Sequence, residues 1–449
     1  MSFSHLPAVL SAWFAHLVTA LDRRSAARLL RLLCGALFAR GRRTVTSWFR
    51  AAGITDAFRP AYHALGAAGR RAEALAARLL AGTLRPLLRP AAGQRLLFAL
   101  DDSPTARYGP CVEGAGVHHN PTPGPAGAPF LYGHAWVTLA WVVRHPLWDT
   151  LALPLRALLY VRATDVPALP KAYRWPFRTK LELAAALVRW LSFWLRVLGV
   201  TGQAVWLAVD GAYAKRPFLQ PVLALGFVVV SRLRKDAHLC SLPPARRRPG
   251  QRGPLPTYGK GRIALAKRAG QKRGWQQVEC VQYGERLTKT IKTFEATWRP
   301  AGGRLRVVLV RERRGWVAFF ATDPAASATA ILEAMADRGA IEQAFKDVKE
   351  VWGAGQQQVR NLYASIGAFA VNLTLYSVVE AWAWAQAEAA LVDRSQCPWD
   401  DAPRRPSHAD KRKALQREIL RAEIQAALGG RPDGPEFQQL ANRLLDLAA

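Results

Sequence analysis

Two aspartates that follow apolar runs of this 449-residue chain are the first candidates for chemistry. Asp102 comes after LLFALD, and Asp210 comes after VWLAV. A carboxylate beside a buried strand is costly unless it is paired or ligates a metal. Strands that are distant in sequence can be neighbours in a mixed sheet, so we expect these carboxylates to converge at one sheet edge. Asp101 is the alternative to Asp102 as the first ligand.

A third carboxylate, Glu342, lies in MADRGAIEQAFKDVKE, with Arg338 four residues before it and Lys349 seven residues after it. On a continuous helix these three residues fall within roughly 40° of one another. Gly339 can break the helix, which leaves Glu342 and Lys349 as the secure pair. An apolar stripe beside them is predicted to dock on the sheet, and it consists of Ile341, Ala344, Phe345 and Val348. An ordinary solvated Arg–Glu pair would give the same spacing.

Three carboxylates at one edge would form an oxygen-rich site. Magnesium suits such a site, because it binds through a few carboxylates while keeping waters and substrate phosphate oxygens. Two ions about 4 Å apart can stabilise the attacking and leaving oxygens of a phosphoryl transfer. We therefore predict two Mg²⁺ ions held by Asp102, Asp210 and Glu342, with Mn²⁺ as a substitute.

These motifs resemble those of the DDE transposases of bacterial insertion sequences, the cut-and-paste superfamily marked by Y-x2-R-x3-E-x6-K. Arg338, Glu342 and Lys349 match the last three positions, while Met335 stands where the signature has Tyr. That departure puts the Tyr contact to the DNA backbone in doubt. DDSPT is similar to the first Asp motif and AVDGAY to the second. The resemblance covers about residues 95–385.

The resemblance implies a fold, a reaction and partners. The fold would be α/β, with an RNase H-like mixed five-stranded sheet flanked by helices, a β insertion before the Glu helix, and an all-α N-terminal domain. The enzyme would bind terminal inverted repeats, cleave DNA at the element ends, and join the 3′-hydroxyl ends to target DNA. It would act as a homodimer in a synaptic complex in the bacterial cytoplasm, associated with the nucleoid. Whether a hairpin intermediate forms is left open.

The charge of the chain independently favours a polyanionic partner. Lys and Arg number 63 against 32 Asp and Glu, which gives a net charge of +31. Neutralising phosphates releases condensed counterions, so nucleic acid is the expected partner. An arginine-rich proteome would produce the same balance, and net charge does not separate DNA from RNA.

Periodicity predicts the elements that position the candidate residues. Apolar runs predict three strands, a helix, a strand, a helix and a fifth strand between residues 95 and 240, with helices packed on the sheet faces. Four alternating runs after residue 275 predict an antiparallel β insert. We divide the chain into residues 1–94 (helical, DNA-binding), 95–240 and 323–392 (two parts of the core), 241–322 (basic arm and insert) and 393–449 (helical tail).

Further DNA contacts are predicted outside the core. A helix, a GRR break and a short helix capped by Thr44 or Thr46 fit a helix-turn-helix, although any small basic bundle gives the same pattern. Its DNA-binding candidates are Arg42, Arg43 and Arg50. Residues 241–275 carry ten Lys or Arg and no acid, which predicts a flexible basic segment. Its candidates are Arg246, Arg247, Arg248, Lys260 and Arg262. Trp298 in the β insert either holds a flipped base or packs in the core.

Other readings of the sequence are weaker. Five scattered cysteines predict neither disulfides nor a zinc site, and His118, His119 and His134 lack a ligand spacing. Tyr213 could touch substrate or simply pack. No clean membrane span is predicted. A catalytically inactive DNA-binding relative is the main alternative function, and a structural RNA-binding protein would leave the three acids unexplained.

Overall fold

The computed structural model describes residues 6–56, 58–88, 95–120, 127–246, 252–394, 397 and 399–427. The strands are β1 Leu96–Ala106, β2 Gly116–His119, β3 Phe130–His145, β4 Asp149–Tyr160, β5 Val205–Val209, β6 Val228–Leu233, β7 Leu239–Cys240, β8 Arg262–Ile263, β9 Gln276–Gln282, β10 Glu285–Trp298, β11 Gly303–Glu312 and β12 Gly315–Ala321. The α-helices are α1 Ala8–Val18, α2 Arg23–Phe38, α3 Val45–Ala51, α4 Phe58–Arg70, α5 Ala72–Arg78, α6 Lys180–Val197, α7 Arg216–Leu223, α8 Leu265–Gly270, α9 Ala328–Asp337, α10 Ala340–Glu350, α11 Leu362–Ala383, α12 Glu388–Leu391 and α13 His408–Ala427.

Five strands form the centre of the molecule in the spatial order β4-β3-β1-β5-β6. Strands β1, β3 and β4 pair antiparallel, whereas β5 runs parallel to β1 and β6 runs parallel to β5. Their apolar side chains are almost fully buried, as expected for strands covered by helices on both faces. This mixed α/β arrangement is compatible with an RNase H-like fold and confirms the predicted fold class.

The β insert continues the central sheet. Strand β12 pairs antiparallel with β6, and β11, β10, β7 and β8 follow outward, so that twelve described strands form one open sheet. An unpaired edge of β6 would expose a row of backbone donors and acceptors, and β12 covers that edge. The predicted insert strands therefore exist, and they extend the central sheet.

Strand β1 is longer than its apolar run. We expected the strand to end at the aspartates, but β3 pairs with β1 as far as Ala106, which lies opposite Gly133. Strand β5 stops at Val209, opposite Leu100. Asp101 and Asp102 therefore lie inside a strand, just beyond the point where its parallel neighbour ends, and the missing neighbour opens space beside them.

Helices α1 to α5 pack with α11 and α13 into a helical layer that shares its core with the sheet. Among the described residues, α11 alone is long and apolar enough to span a membrane, but 83% of its apolar window is buried inside the protein. It packs closely against α4, where a Cβ on Gly69 would come within 1.8 Å of the Tyr363 carbonyl oxygen. These properties are typical of the core helix of a folded domain.

The basic segment contains more regular structure than we predicted. Strand β8 pairs with β7, and the short helix α8 lies on β10. Lys292 of β10 donates to the carbonyl oxygens of Arg268 and Gln271 at the end of α8, at 2.9 Å each. A buried ammonium that satisfies two terminal carbonyls holds this helix to the sheet, so residues 265–270 are docked and do not form a free arm.

Candidate active site

A cleft of about 1010 Å³ opens at the sheet edge where β5 ends. Asp101 and Asp102 from β1, Asp210 from the end of β5, and Glu342 from α10 all line it. Ligands of open α/β sheets bind at the carboxyl ends of the parallel strands. The fold therefore brings the sequence-predicted carboxylates from three separate elements to a single cleft.

Asp101 faces α10 through an arginine. Arg338 donates from Nη2 to Asp101 Oδ2 at 2.5 Å and from Nη1 to Glu342 Oε1 at 3.1 Å. Burial raises the pKa of Asp101 to about 6, while Arg338 opposes that rise and the nearby Asp102 and Asp210 add to it. Arg338 follows α9 directly, and the chain turns at Gly339 before α10 begins. The expected Arg–Glu pair forms despite this break.

Asp102 faces the other side of β1, because successive residues of a strand point to opposite faces. Lys180, at the start of α6, donates from Nζ to Asp102 Oδ2 at 2.6 Å. The Tyr213 hydroxyl donates to Asp102 Oδ1 at 2.9 Å, and its ring is 2% exposed. Tyr213 is thus a packed aromatic whose hydroxyl orients a candidate ligand.

Asp210 caps the turn that follows β5. Its Oδ2 accepts a hydrogen bond from the Ala212 backbone at 3.0 Å, and the residue is exposed to solvent. One backbone hydrogen bond leaves most of the lone pairs of this carboxylate available. Glu342 is similar, with 64% of its side chain exposed and Arg338 as its ion-pair partner.

Helix α10 supplies cations along the same cleft. Its apolar stripe is buried as predicted, with Ile341 and Ala344 fully inaccessible, and the side of the helix next to this stripe faces the cleft. Lys346 and Lys349 line the cleft together with Glu342. Burial lowers the pKa of Lys349. A phosphate that entered the cleft would meet both ammonium groups.

The donor set is suited to a hard divalent cation. All four candidate ligands are carboxylates, the type that Mg²⁺ and Mn²⁺ prefer. Within the described part of the chain, no three His, Cys, Asp or Glu side chains are close enough to form a ready-made metal group. Asp101 and Asp102 point to opposite sides of β1, where Asp101 pairs with Arg338 and Asp102 with Lys180. Relief of the mutual repulsion among Asp101, Asp102 and Asp210 would favour a bound cation.

The N-terminal candidates lie apart from the carboxylates. Thr44 caps α3 by accepting from the Ser47 backbone, which confirms one of the two predicted caps. Arg42 and Arg50 are exposed. Arg43 instead contacts the loop after α10, where its backbone donates to Gln356 Oε1 at 2.9 Å. Its Nε also donates to the Val351 carbonyl at 3.4 Å.

The candidates of the basic segment are not brought to the cleft. Arg246, Lys260 and Arg262 are exposed near β7 and β8, at the far end of the sheet from β1. Arg247 and Arg248 lie outside the described residues. Trp298 is 7% exposed and packs edge-on against Phe320 with 5.4 Å between ring centroids, so it is a core residue in this conformation.

The histidines near the first motif do not form a metal group. His134 is buried, and burial together with Arg107 lowers its pKa to about 3. Its Nδ1 accepts a hydrogen bond from Arg107 Nε at 3.1 Å. His118 and His119 line the cleft wall.

Besides Lys346 of α10, sequence reasoning missed Lys180 as a functional candidate. It is separated from Asp102 by 78 residues, and its position at the start of a helix carries no motif. Tyr213 was noted, but only the structure reveals its bond to Asp102.

Comparison with known proteins agrees with this geometry. A family model described as DDE superfamily endonuclease matches residues 16–303, which is more than half of the chain. The match includes both aspartate motifs and ends before Glu342. A search of curated proteins finds no match for the chain.

Proposed function

The chain belongs to the DDE superfamily endonucleases, and from that membership we propose that it is a DNA transposase of an insertion sequence. It cuts DNA at the element ends and joins the freed 3′-hydroxyl ends to target DNA. The convergence of Asp101 or Asp102, Asp210 and Glu342 on one cleft is the observation that carries the proposal. Two separate parts of the chain, before and after the β insert, contribute to that cleft, as a phosphoryl-transfer site on an RNase H-like core requires.

The carboxylates would hold two divalent ions, Mg²⁺ or Mn²⁺, and bound ions would supply Lewis-acid stabilisation of the attacking and leaving oxygens. The surrounding residues bind and orient the DNA. Lys346 and Lys349 neutralise phosphates of the scissile strand from α10. Arg338 keeps Glu342 directed along the cleft. Tyr213 fixes one oxygen of Asp102, which limits the orientations of that carboxylate.

The remaining parts of the proposal concern recognition and assembly. Arg42 and Arg50, exposed around α3, contact the terminal inverted repeats. A homodimer holds two element ends in a synaptic complex, in the bacterial cytoplasm and on the nucleoid. Arg338, Glu342 and Lys349 fit the Y-x2-R-x3-E-x6-K signature, with Met335 half-buried in α9 at the Tyr position.

Cleavage of a supercoiled plasmid that carries the element's flanking repeats tests the proposal. We expect wild-type protein to cut at the repeat boundary with Mg²⁺ and not with EDTA, and Glu342→Gln to abolish cutting. Glu350→Gln is the matched control, because Glu350 lies on the same helix and lines the same cleft but is not a proposed ligand. A folded protein that binds the ends and never cuts would support the inactive DNA-binding relative instead.

Two further variants separate the neighbouring aspartates. Asp101→Asn removes the carboxylate that faces Arg338, and Asp102→Asn removes the one that faces Lys180. The sequence motif favours Asp102 as the ligand, so cutting should be lost in Asp102→Asn. Cutting that survives in Asp102→Asn and disappears in Asp101→Asn would assign the first ligand to Asp101.

A further inference from the structure

A second groove begins at the residue that follows Asp210 in the chain. It has a volume of about 420 Å³ and is lined by Gly211, by the end of β6 and by the start of β12. Its exposed cations are Arg232, Arg234 and Lys235, and Asp236 is the one acid among the described residues that line it. It therefore continues the sheet edge on which the candidate active site lies.

Aromatic rings along this edge hold cations in place. The Lys235 ammonium lies 5.3 Å from the ring centroid of Trp316, which opens β12. Arg311 of β11 is the cross-strand partner of Trp316. The Arg311 guanidinium lies 4.5 Å from the ring centroid of Trp275, just before β9. The two ring contacts and this register place cations and rings alternately in a row, from the turn after β6 across β12 and β11 to the residue before β9.

The type of partner that holds a cation determines whether its charge remains available to a ligand. Other basic side chains are paired with acids, and Arg234 in the same groove pairs with Asp236 at 2.9 Å. An ion pair restrains a cation but cancels its charge. An aromatic face attracts the cation through the ring quadrupole and leaves its net charge intact. Lys235 and Arg311 form no ion pair with any residue that the structure describes, so the rings restrain them and no acid side chain offsets their charge.

The dimensions fit a nucleic-acid backbone. Neighbouring strands lie about 4.8 Å apart, so the four steps from β5 to β10 span roughly 19 Å. A DNA strand carries one phosphate per roughly 3.4 Å of helix axis, and the edge therefore accommodates about five phosphates.

We propose that this edge, which we name the cation–ring track (Arg232, Lys235, Trp316, Arg311 and Trp275), binds the phosphate backbone of the DNA that continues from the active-site cleft past Asp210. The inference rests on the proposed function, because it takes the DNA in the cleft as its starting point. Lys235 and Arg311 contact phosphates directly, and the two tryptophans position them.

The salt dependence of DNA binding by the full-length protein tests the track. Each phosphate contact contributes about 0.9 to the slope of log K against log salt concentration. Lys235→Ala/Arg311→Ala should therefore reduce that slope by about 2. Arg189→Ala/Arg196→Ala on the exposed side of α6 removes the same charge at a site away from the track and should leave the slope unchanged. An equal loss in both double variants would overturn the proposal.

A tryptophan variant tests the positioning role. Trp316→Leu keeps every charge but removes the ring that holds Lys235, and we expect weaker binding by severalfold. Trp399→Leu is its control, because Trp399 is 81% exposed and contacts no part of the track. Thermal unfolding identifies any variant that has lost its fold. Binding by Trp316→Leu that equals wild type would refute positioning by the ring.

Two comparisons separate this inference from the proposed function. Plasmid cutting by the wild type, combined with normal DNA binding by the track variants, would overturn the track alone. Absence of cutting by the wild type would overturn the proposed function, while the salt slopes would still report on the track. Competition with RNA of the same length checks the partner, and tighter binding of RNA than of DNA would overturn the assignment to DNA.

Discussion

The buried ion pair between Lys411 and Glu380 offers a prediction whose size follows from the structure. Lys411 Nζ donates to Glu380 Oε2 at 2.6 Å, and His408 Nδ1 lies 2.6 Å from Glu380 Oε1. All three side chains are at most 2% exposed. Lys411→Met keeps the approximate volume but leaves Glu380 without its cation. Breaking a buried pair by removing one partner costs about 3–5 kcal/mol, so the free energy of unfolding should fall by that amount.

The pH dependence of stability gives a second measure of the same cluster. Burial alone would raise the pKa of Glu380, but Lys411 and His408 more than offset it and lower the pKa from 4.5 to about 2. A carboxyl group whose pKa is lower in the folded state stabilises the fold above its unfolded pKa. That stabilisation is lost as the pH falls toward the folded pKa. The depression corresponds to roughly 3 kcal/mol, which should disappear between about pH 5 and pH 2.

Urea unfolding at several pH values measures both effects. The double variant Glu380→Gln/Lys411→Met carries no charge at either position and should recover much of the stability lost by Lys411→Met. It should also lose less stability than the wild type when the pH falls from 5 to 2. A Lys411→Met protein within 0.5 kcal/mol of wild type would refute the reasoning, as would equal acid sensitivity of the wild type and the double variant.

Three further substitutions test helix packing, helix capping and the aromatic core. Gly69→Ala places a Cβ 1.8 Å from a carbonyl oxygen of α11 and should destabilise the fold by about 1–3 kcal/mol. Gly66→Ala on the same helix has room for the added Cβ and should not destabilise the fold. Thermal unfolding measures both effects. Thr179→Ala removes the capping box of α6 and should lower the free energy of unfolding, measured with urea, by about 1 kcal/mol. Thr179→Ser keeps the hydroxyl and should keep most of that stability. Trp136→Ala removes a ring that is 1% exposed and stacks on an aromatic of α11, so it should lower the free energy of unfolding in urea by about 3–5 kcal/mol. The control Trp399→Ala changes an exposed ring, and its free energy of unfolding should stay within about 0.5 kcal/mol of wild type.

The central fold could be predicted because its signals are local. Apolar runs such as LLFAL and VWLAV lie within single strands, and the buried stripe of α10 repeats with the helical period. The order of three strands, helix, strand, helix and strand then limits the topology to a few mixed sheets. Each of these inferences needs only residues that are close together in the chain.

The features that could not be predicted all depend on distant partners. The pairing of β12 with β6 joins segments about 90 residues apart, and no residue in either segment specifies the other. The extension of β1 to Ala106 depends on β3, because DSPTA is not an apolar run. Lys180 meets Asp102 only after α6 has packed on the sheet. Long-range backbone pairing and docking leave no periodic trace in a sequence.

The neighbouring aspartates illustrate this limit most sharply. Two identical residues in succession give the sequence little basis for choosing between them, whereas strand geometry makes them different. Asp101 points toward Arg338 and α10, and Asp102 points toward Lys180 and Tyr213 on the α6 side. The two positions are therefore not interchangeable. A protein with a carboxylate only at position 101 and one with a carboxylate only at position 102 present it on opposite sides of β1 and to different cations.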